Sequence, residues 1–134
     1  MRPIKFRGKC IEEGDVMYGE FVYGDLRIIE DKRDFYLIYT INSCVRVDKN
    51  TIGQFTGLHD KNGVEIYEGD IVSFEDTYDY FGEESFMNKG KIEWVDDEAI
   101  FNVSNRCNES NKSAYDRCEV IGNIHDNPEL LEGK

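Results

Sequence analysis

The sequence predicts an all-β fold, mainly antiparallel, in which an N-terminal β-meander lobe packs with a small SH3-like barrel and a short helical turn ends the chain. Three observations carry this. Apolar and polar residues alternate with period two in several short runs, Gly, Asp and Asn turn signals separate those runs at close intervals, and aromatics reach 13% while only two prolines occur.

From Ile4 the side chains alternate, with Ile4, Phe6, Gly8 and Cys10 on an inner face and Lys5, Arg7 and Lys9 on a basic outer stripe. Glu12-Glu13-Gly14-Asp15 makes a turn, Val16 to Tyr23 returns as a second strand, and Gly24-Asp25 leads into Leu26-Arg27-Ile28-Ile29. After the charged turn Asp31-Lys32-Arg33-Asp34, the run Phe35 to Tyr39 is apolar or aromatic on both faces and is expected to lie centrally in a sheet. Val45-Arg46-Val47 and Thr51 to Phe55 are shorter β segments. They place a boundary near Gly53 between lobes 1–53 and 54–134 of a single domain spanning residues 1–134, the short linker arguing that the lobes pack as one unit.

In Gln54-Phe55-Thr56-Gly57-Leu58-His59-Asp60-Lys61-Asn62-Gly63-Val64-Glu65-Ile66-Tyr67-Glu68-Gly69-Asp70-Ile71-Val72 almost every residue has a backbone task. Asp60 suits the first position of a type I turn, Asn62 tolerates the bridge region, and Gly63 supplies the positive φ that closes a hairpin. Gly69-Asp70 turns the chain again into a strand from Ile71 to Phe74, whose partner is Lys91 to Val95, followed by Ala99 to Val103 and, closing the barrel, Cys118 to Ile121. Asn127-Pro128-Glu129-Leu130-Leu131 has an N-cap residue, proline at the first helical position and an acid in the first turn.

The run from Gln54 to Val72 resembles the YopX family, small proteins of phages and prophages. The ending Glu119-Val120-Ile121-Gly122-Asn123-Ile124-His125-Asp126-Asn127-Pro128-Glu129-Leu130 and the opening Met1-Arg2-Pro3-Ile4-Lys5-Phe6-Arg7-Gly8-Lys9 are similar to that family too, so the resemblance covers the whole chain. It departs from the family pattern in Glu75 to Lys89 and Ser104 to Arg117. The resemblance implies an accessory role in a phage or prophage and carries no established biochemical activity with it.

A chain of 134 residues buries enough surface to fold without a metal or disulfide. No apolar run approaches the roughly 20 residues that span a bilayer, and the first residues lack the apolar core of a signal peptide, so a cytoplasmic location in a bacterial host is expected. Cys10, Cys44, Cys107 and Cys118 form no Cys-x-x-Cys pair and read as reduced thiols, with a Cys107–Cys118 disulfide as the sharper alternative that a reducing cytosol opposes. Sixteen basic residues against 28 acidic ones give a formal charge of −12, which repels phosphate backbones and disfavours direct nucleic-acid binding. The plain reading of that charge is solubility; the sharper one is an acidic nucleic-acid mimic aimed at the basic groove of a host DNA-binding protein.

His59, Asp60, Glu68 and Asp70 cluster in sequence about the family hairpin, and carboxylates with an imidazole near one turn have the chemistry to hold a divalent ion that activates water. Against this candidate pocket, Asp beside a turn more often caps its own backbone, and Glu68-Gly69-Asp70 is already accounted for as a turn. The same holds for His125 beside Asp126. Trp94 shares a strand face with Ile92 and reads as core.

The segment from Phe74 to Met87 differs, because acids and aromatics interleave: Glu75, Asp76, Tyr78, Asp79, Tyr80, Phe81, Glu83 and Glu84 form a candidate partner surface in which rings anchor and charges steer. This connection between strands is expected to lack regular structure, the competing reading being that Phe81, Phe86 and Met87 tuck beneath it as a satellite core. The polar run Asn102 to Arg117 reads as a long exposed hairpin loop. The expected function is a non-enzymatic protein-binding or assembly module, free of cofactors, that self-associates through exposed strand edges. A metal-assisted hydrolase is the enzymatic alternative.

Overall fold

The computed structural model describes residues 5–29, 35–77, 84–95, 100–107 and 113–131. Ten strands are formed among the described residues: β1 (Phe6–Lys9), β2 (Phe21–Ile28), β3 (Tyr36–Tyr39), β4 (Cys44–Val47), β5 (Gly53–His59), β6 (Glu65–Tyr67), β7 (Asp70–Thr77), β8 (Ser85–Val95), β9 (Ile100–Val103) and β10 (Glu119–Asn123). Single turns of 3₁₀-helix cover Lys49–Thr51 and Pro128–Leu131, and α1 covers Ser113–Asp116. Every described strand pair is antiparallel, so the all-β reading holds. The chain divides into two compact units, Met1–Phe55 and Thr56–Lys134, and β5 runs through the boundary.

In the first unit the strands follow the order β4-β3-β2-β1-β5. One edge of β1 pairs with β2 over its whole length. Its other edge meets β5 at Phe6 and Arg7, and then meets β4, where Cys10 bridges Val47, Ile11 N–H donates to Arg46 O at 2.9 Å and Asp48 N–H donates to Lys9 O at 2.9 Å. The strands thereby close into a ring, which satisfies backbone groups that an open sheet would leave on its edges. Inside it lie Cys10, Val22, Ile38, Val45 and Val47, with Phe6, Leu26, Tyr36 and Ile52 packed against them. Gly24 is required where the strands converge, since a Cβ there would lie 2.0 Å from Tyr39 O.

Several expectations are corrected here. The second strand begins at Phe21 rather than Val16, because residues 12–20 form successive turns in which Asp15 Oδ1 takes the Met17 N–H at 2.8 Å and Gly19 adopts φ 85°, leaving Val16 96% exposed. β2 then runs unbroken through Gly24-Asp25. Phe35–Tyr39 is central as expected, β3 lying between β2 and β4.

The second unit contains the sheet order β10-β7-β8-β9, with β6 beside the second half of β5. A pairing that would close this sheet into the expected SH3-like barrel is not among those of the described residues. Its core gathers Ile66, Val72, Phe74, Ile92, Val103, Ala114 and Cys118. β7 reaches Thr77 and β8 starts at Ser85, paired in continuous register from Ile71↔Lys91 to Thr77↔Ser85, so residues 75–77 and 85–87 of the connection expected from Glu75 to Met87 are strand. Met87 stands 66% exposed on the outer side and is no part of a satellite core. The run Asn102 to Arg117 is likewise more than an exposed loop, because Val103 and the α1 residue Ala114 are buried. Trp94, expected in the core, is corrected: it is 39% exposed and stands edge-on to Phe101 with ring centroids 4.9 Å apart. The helical turn predicted after Asn127 is present as 3₁₀, Leu130 N–H donating to Asn127 O at 3.1 Å.

Candidate functional site

The family hairpin is built around Asp60. Its Oδ1 accepts the N–H of Asn62 at 2.8 Å and of Val64 at 2.9 Å, and its Oδ2 accepts the N–H of Val120 at 2.9 Å. Gly63, with φ 84°, lets its own N–H reach Asp60 O at 3.0 Å and close the turn. Burial alone raises the Asp60 pKa, but the N–H groups of Val120, Val64 and Asn62, with the charge of Lys61, outweigh it and hold the carboxyl below its ordinary value.

Asp70 is engaged in the same way. The Tyr67 N–H donates to its Oδ2 at 2.7 Å across the β6–β7 turn, where Gly69 has φ 92°. Glu68 is half-buried between them, and His59 is exposed at the end of β5. Among the described residues no three His, Cys, Asp or Glu side chains gather as metal ligands. The cysteines are free thiols, Cys10 and Cys118 buried and Cys44 and Cys107 exposed, and the Cys107–Cys118 bridge is not formed.

The candidate partner surface is divided by the strand it lies on. Glu75 and Glu84 are exposed, and Ser85 Oγ donates to Glu75 Oε2 at 3.3 Å. Asp76 is fully buried and is corrected from that surface. Its Oδ1 takes the Thr77 N–H at 2.9 Å, and its Oδ2 takes Asn88 Nδ2 at 2.9 Å and the Cys107 N–H at 2.8 Å. Asn88 Nδ2 also donates to Asn105 O at 2.9 Å, with Asn105 in the left-handed region at φ 70°, so one carboxylate and two amides fasten the 104–107 turn onto the β7–β8 ladder. Alternation along β7 turns Asp76 inward, beside Phe74, and a carboxylate survives there because its hydrogen bonds are made. Tyr78, Asp79, Tyr80, Phe81 and Glu83 lie outside the described residues.

A feature that sequence reasoning only half found lies on the outer face of the first unit. Strand register puts Arg7 opposite Tyr23, Lys9 opposite Phe21, Asp25 opposite Tyr39, and Leu37 between Arg27 and Arg46, so these residues share one face. Its cations lie over rings: Arg7 over Phe21 at 4.4 Å, Arg46 over Phe35 at 4.7 Å, Lys5 over Phe55 at 5.3 Å, Lys9 over Phe21 at 5.5 Å and Arg27 over Tyr39 at 5.7 Å. Arg7, expected on an open basic stripe, is instead only 5% exposed, its guanidinium carbon 4.4 Å from the centre of the Phe21 ring. The alternation of Lys5, Arg7 and Lys9 was the signal for this face. The aromatics that complete it come from other strands and needed the register.

Arg46 also lines a cleft of about 270 Å³ with Ile11, Asp48, Lys49 and Asn50. Asp48 is committed locally, its Oδ1 taking the Asn50 N–H at 3.0 Å. Charge is divided unevenly along the chain: residues 1–55 carry nine basic and nine acidic side chains, whereas residues 56–134 carry seven basic and 19 acidic ones. The whole of the −12 therefore resides in the second unit. No helix among the described residues is long and apolar enough to cross a membrane.

Comparison with known proteins agrees with this architecture. The crystal structure of protein EF1440 from Enterococcus faecalis is similar over 98% of this chain and 100% of that one, at 28% sequence identity and a TM-score of 0.57. A search of curated proteins finds no match. The model of the YopX protein family matches residues 5–132, which takes in the Asp60 hairpin, the Asp76 clasp and the closing segment alike, and the chain therefore belongs to the YopX family.

Proposed function

We propose that the protein is a non-enzymatic binding or assembly module that works through protein contacts and associates with itself. The observation that supports this most is where its carboxylates are. Asp60 and Asp70, two of the acids the hydrolase alternative draws on, are buried and accept main-chain N–H groups, as does Asp76, which makes them fastenings of the scaffold. What remains accessible is contact surface: Arg27, Tyr23 and Tyr39 of the cation–aromatic face of the first unit and, on the second, Glu75 and Glu84 of the acidic segment. An accessory role in a phage or prophage, in the host cytoplasm, follows from the family resemblance.

The test is mass in solution together with capture from a bacterial lysate. A strict monomer that retains no protein would sink the reading. The hydrolase alternative is checked by a thermal-shift screen with divalent metals, and a metal-dependent rise in Tm that is lost in His59→Ala would revive it.

The concentration of charge in residues 56–134 favours one second reading, the acidic nucleic-acid mimic. Its mark would be displacement of duplex DNA from a basic DNA-binding protein by stoichiometric amounts of this chain.

A further inference from the structure

We propose that the cation–aromatic face of the first unit, with the Arg46–Lys49 cleft that adjoins it, docks the acidic second unit of another copy of this chain. The inference rests on the assembly reading above and names its partner.

Composition of the face comes first. Lys5, Arg7, Lys9, Arg27 and Arg46 stand on it by strand alternation and register, and Asp25 is the one acid that register places with them among the described residues. Such an excess is unusual on a chain of net charge −12. Arg27 is the accessible member, with 59% of its side chain exposed, a 3.5 Å contact to Asp25 and its guanidinium 5.7 Å from the centre of the Tyr39 ring. Lys5, Arg7 and Lys9 already interact within their own chain and act here through their field. Guanidinium groups held on rings are oriented in advance, so less side-chain entropy is lost when a carboxylate arrives.

The cleft supplies the second observation. Arg46 lies over Phe35 at 4.7 Å, and its Nε is buried without a hydrogen-bond acceptor among the described residues. A buried N–H left in this state is a cost to the fold. The cleft offers an entering carboxylate the side chains of Arg46, Lys49 and Asn50 and an apolar wall in Ile11, while its one acid, Asp48, already accepts the Asn50 N–H.

Charge decides the occupant. Residues 1–55 are neutral overall and residues 56–134 carry the whole −12, so the second unit of another copy offers the carboxylates that complement a local cationic face. On the second unit Glu75, Glu84, Asp126 and Glu129 are exposed. A contact from first unit to second unit is heterologous. It closes when two copies make it reciprocally or when several form a ring, and it otherwise propagates as a filament.

Sedimentation velocity over a range of protein concentrations, at about 0.05 M and about 0.5 M salt, tests this, since the Debye length shrinks between these limits. The wild type should associate at low salt and dissociate at high salt. Arg27→Glu and Lys49→Glu, at exposed positions where folding is not at risk, should weaken association at least tenfold with unchanged Tm, and Arg46→Met should weaken it as well. Association that ignores both salt and these reversals overturns the proposal. So does a chain monomeric at low salt that nevertheless captures a different protein, an outcome that would leave the protein-binding reading standing. Saturable binding of a single-stranded oligonucleotide that Arg27→Glu abolishes would overturn it in favour of nucleic acid.

Discussion

The Asp60 carboxylate accepts the Val120 N–H at 2.9 Å across sixty positions of sequence. This bond joins the two segments that carry the family resemblance, the hairpin and the closing run, and Lys61 adds to it by donating its N–H to Cys118 O at 3.0 Å and pairing with Glu119 at 3.7 Å. The turn and β10 are therefore one structural element. A loop acid chosen for turn geometry also fixes where the last strand docks.

Asp60→Ala should accordingly be the most damaging change in the hairpin. It strands three N–H groups in a region where Asp60 itself is 6% exposed, and charge-assisted bonds to a carboxylate are worth about 1.5–3 kcal/mol each without being additive. Urea unfolding is expected to show a loss of about 2–4 kcal/mol, and His59→Ala a loss below about 0.5 kcal/mol. Equal losses at the two positions would refute the clasp.

Acid should act through the same group. A carboxyl whose folded pKa lies below its unfolded value of about 3.9 stabilises the fold fully above that value and gives this up as pH falls through the folded pKa. Tm should be flat from neutrality to about pH 5 as far as Asp60 is concerned and then fall. In Asp60→Asn that part of the acid limb should vanish from a baseline already lowered at pH 7, and an acid limb identical to wild type would contradict the assignment.

The Asp76 clasp predicts coupling. Asp76→Ala and Asn88→Ala each leave buried partners unsatisfied, since Asn88 Nδ2 donates to Asp76 Oδ2 at 2.9 Å. Each should cost about 2–3 kcal/mol, and the double variant should cost less than the sum by at least about 1 kcal/mol in a thermodynamic cycle. Strict additivity would mean that the two side chains act separately.

Two glycines differ in kind from a third. At Gly24 and Gly90 a Cβ would lie 2.0 Å from Tyr39 O and 2.1 Å from Ser104 O, whereas at Gly14, with φ 85°, a Cβ meets nothing within 4 Å. Gly14→Ala should cost only the conformational strain of about 1–2 kcal/mol. Gly24→Ala and Gly90→Ala should each cost well above about 2 kcal/mol or prevent soluble expression, because backbone must move. Thermal melts of the three variants decide it.

The thiols should fall into two classes. Cys44 and Cys107 are exposed and should react with an aromatic disulfide reagent in the native state, while Cys10 and Cys118 should react only on unfolding. The Cys44 side chain bonds Tyr39 and, with its own charge and a smaller effect of burial, pushes the phenol above its ordinary value against the lowering influence of Arg27. Cys44→Ala should bring the Tyr39 absorbance titration back down. An unchanged titration would remove Cys44 as the cause.

Local chemistry was legible in the chain. Alternation marked β1 and the Lys91 to Val95 end of β8, an apolar run marked β3, the Asp-x-Asn-Gly run specified its own turn because Asp and Gly act within four residues, and Asn127-Pro128 ended the chain in a helical turn. These are short-range effects, and a sequence states them in order. The fate of Asp76 was not legible: a carboxylate among acids and aromatics reads as surface, and only the approach of Asn88 and Cys107, twelve and thirty-one positions away, makes it an interior group. The same reason hid the ring closure in the first unit, where one bridge from Cys10 to Val47 distinguishes a closed set of strands from an open meander. It also hid the cation–aromatic face, whose cations were visible on β1 but whose rings arrive from β2, β3 and β5 and from Phe35. Sequence fixes what a residue offers its near neighbours; which distant group accepts the offer depends on strand register, and register is decided by the packing of both faces at once.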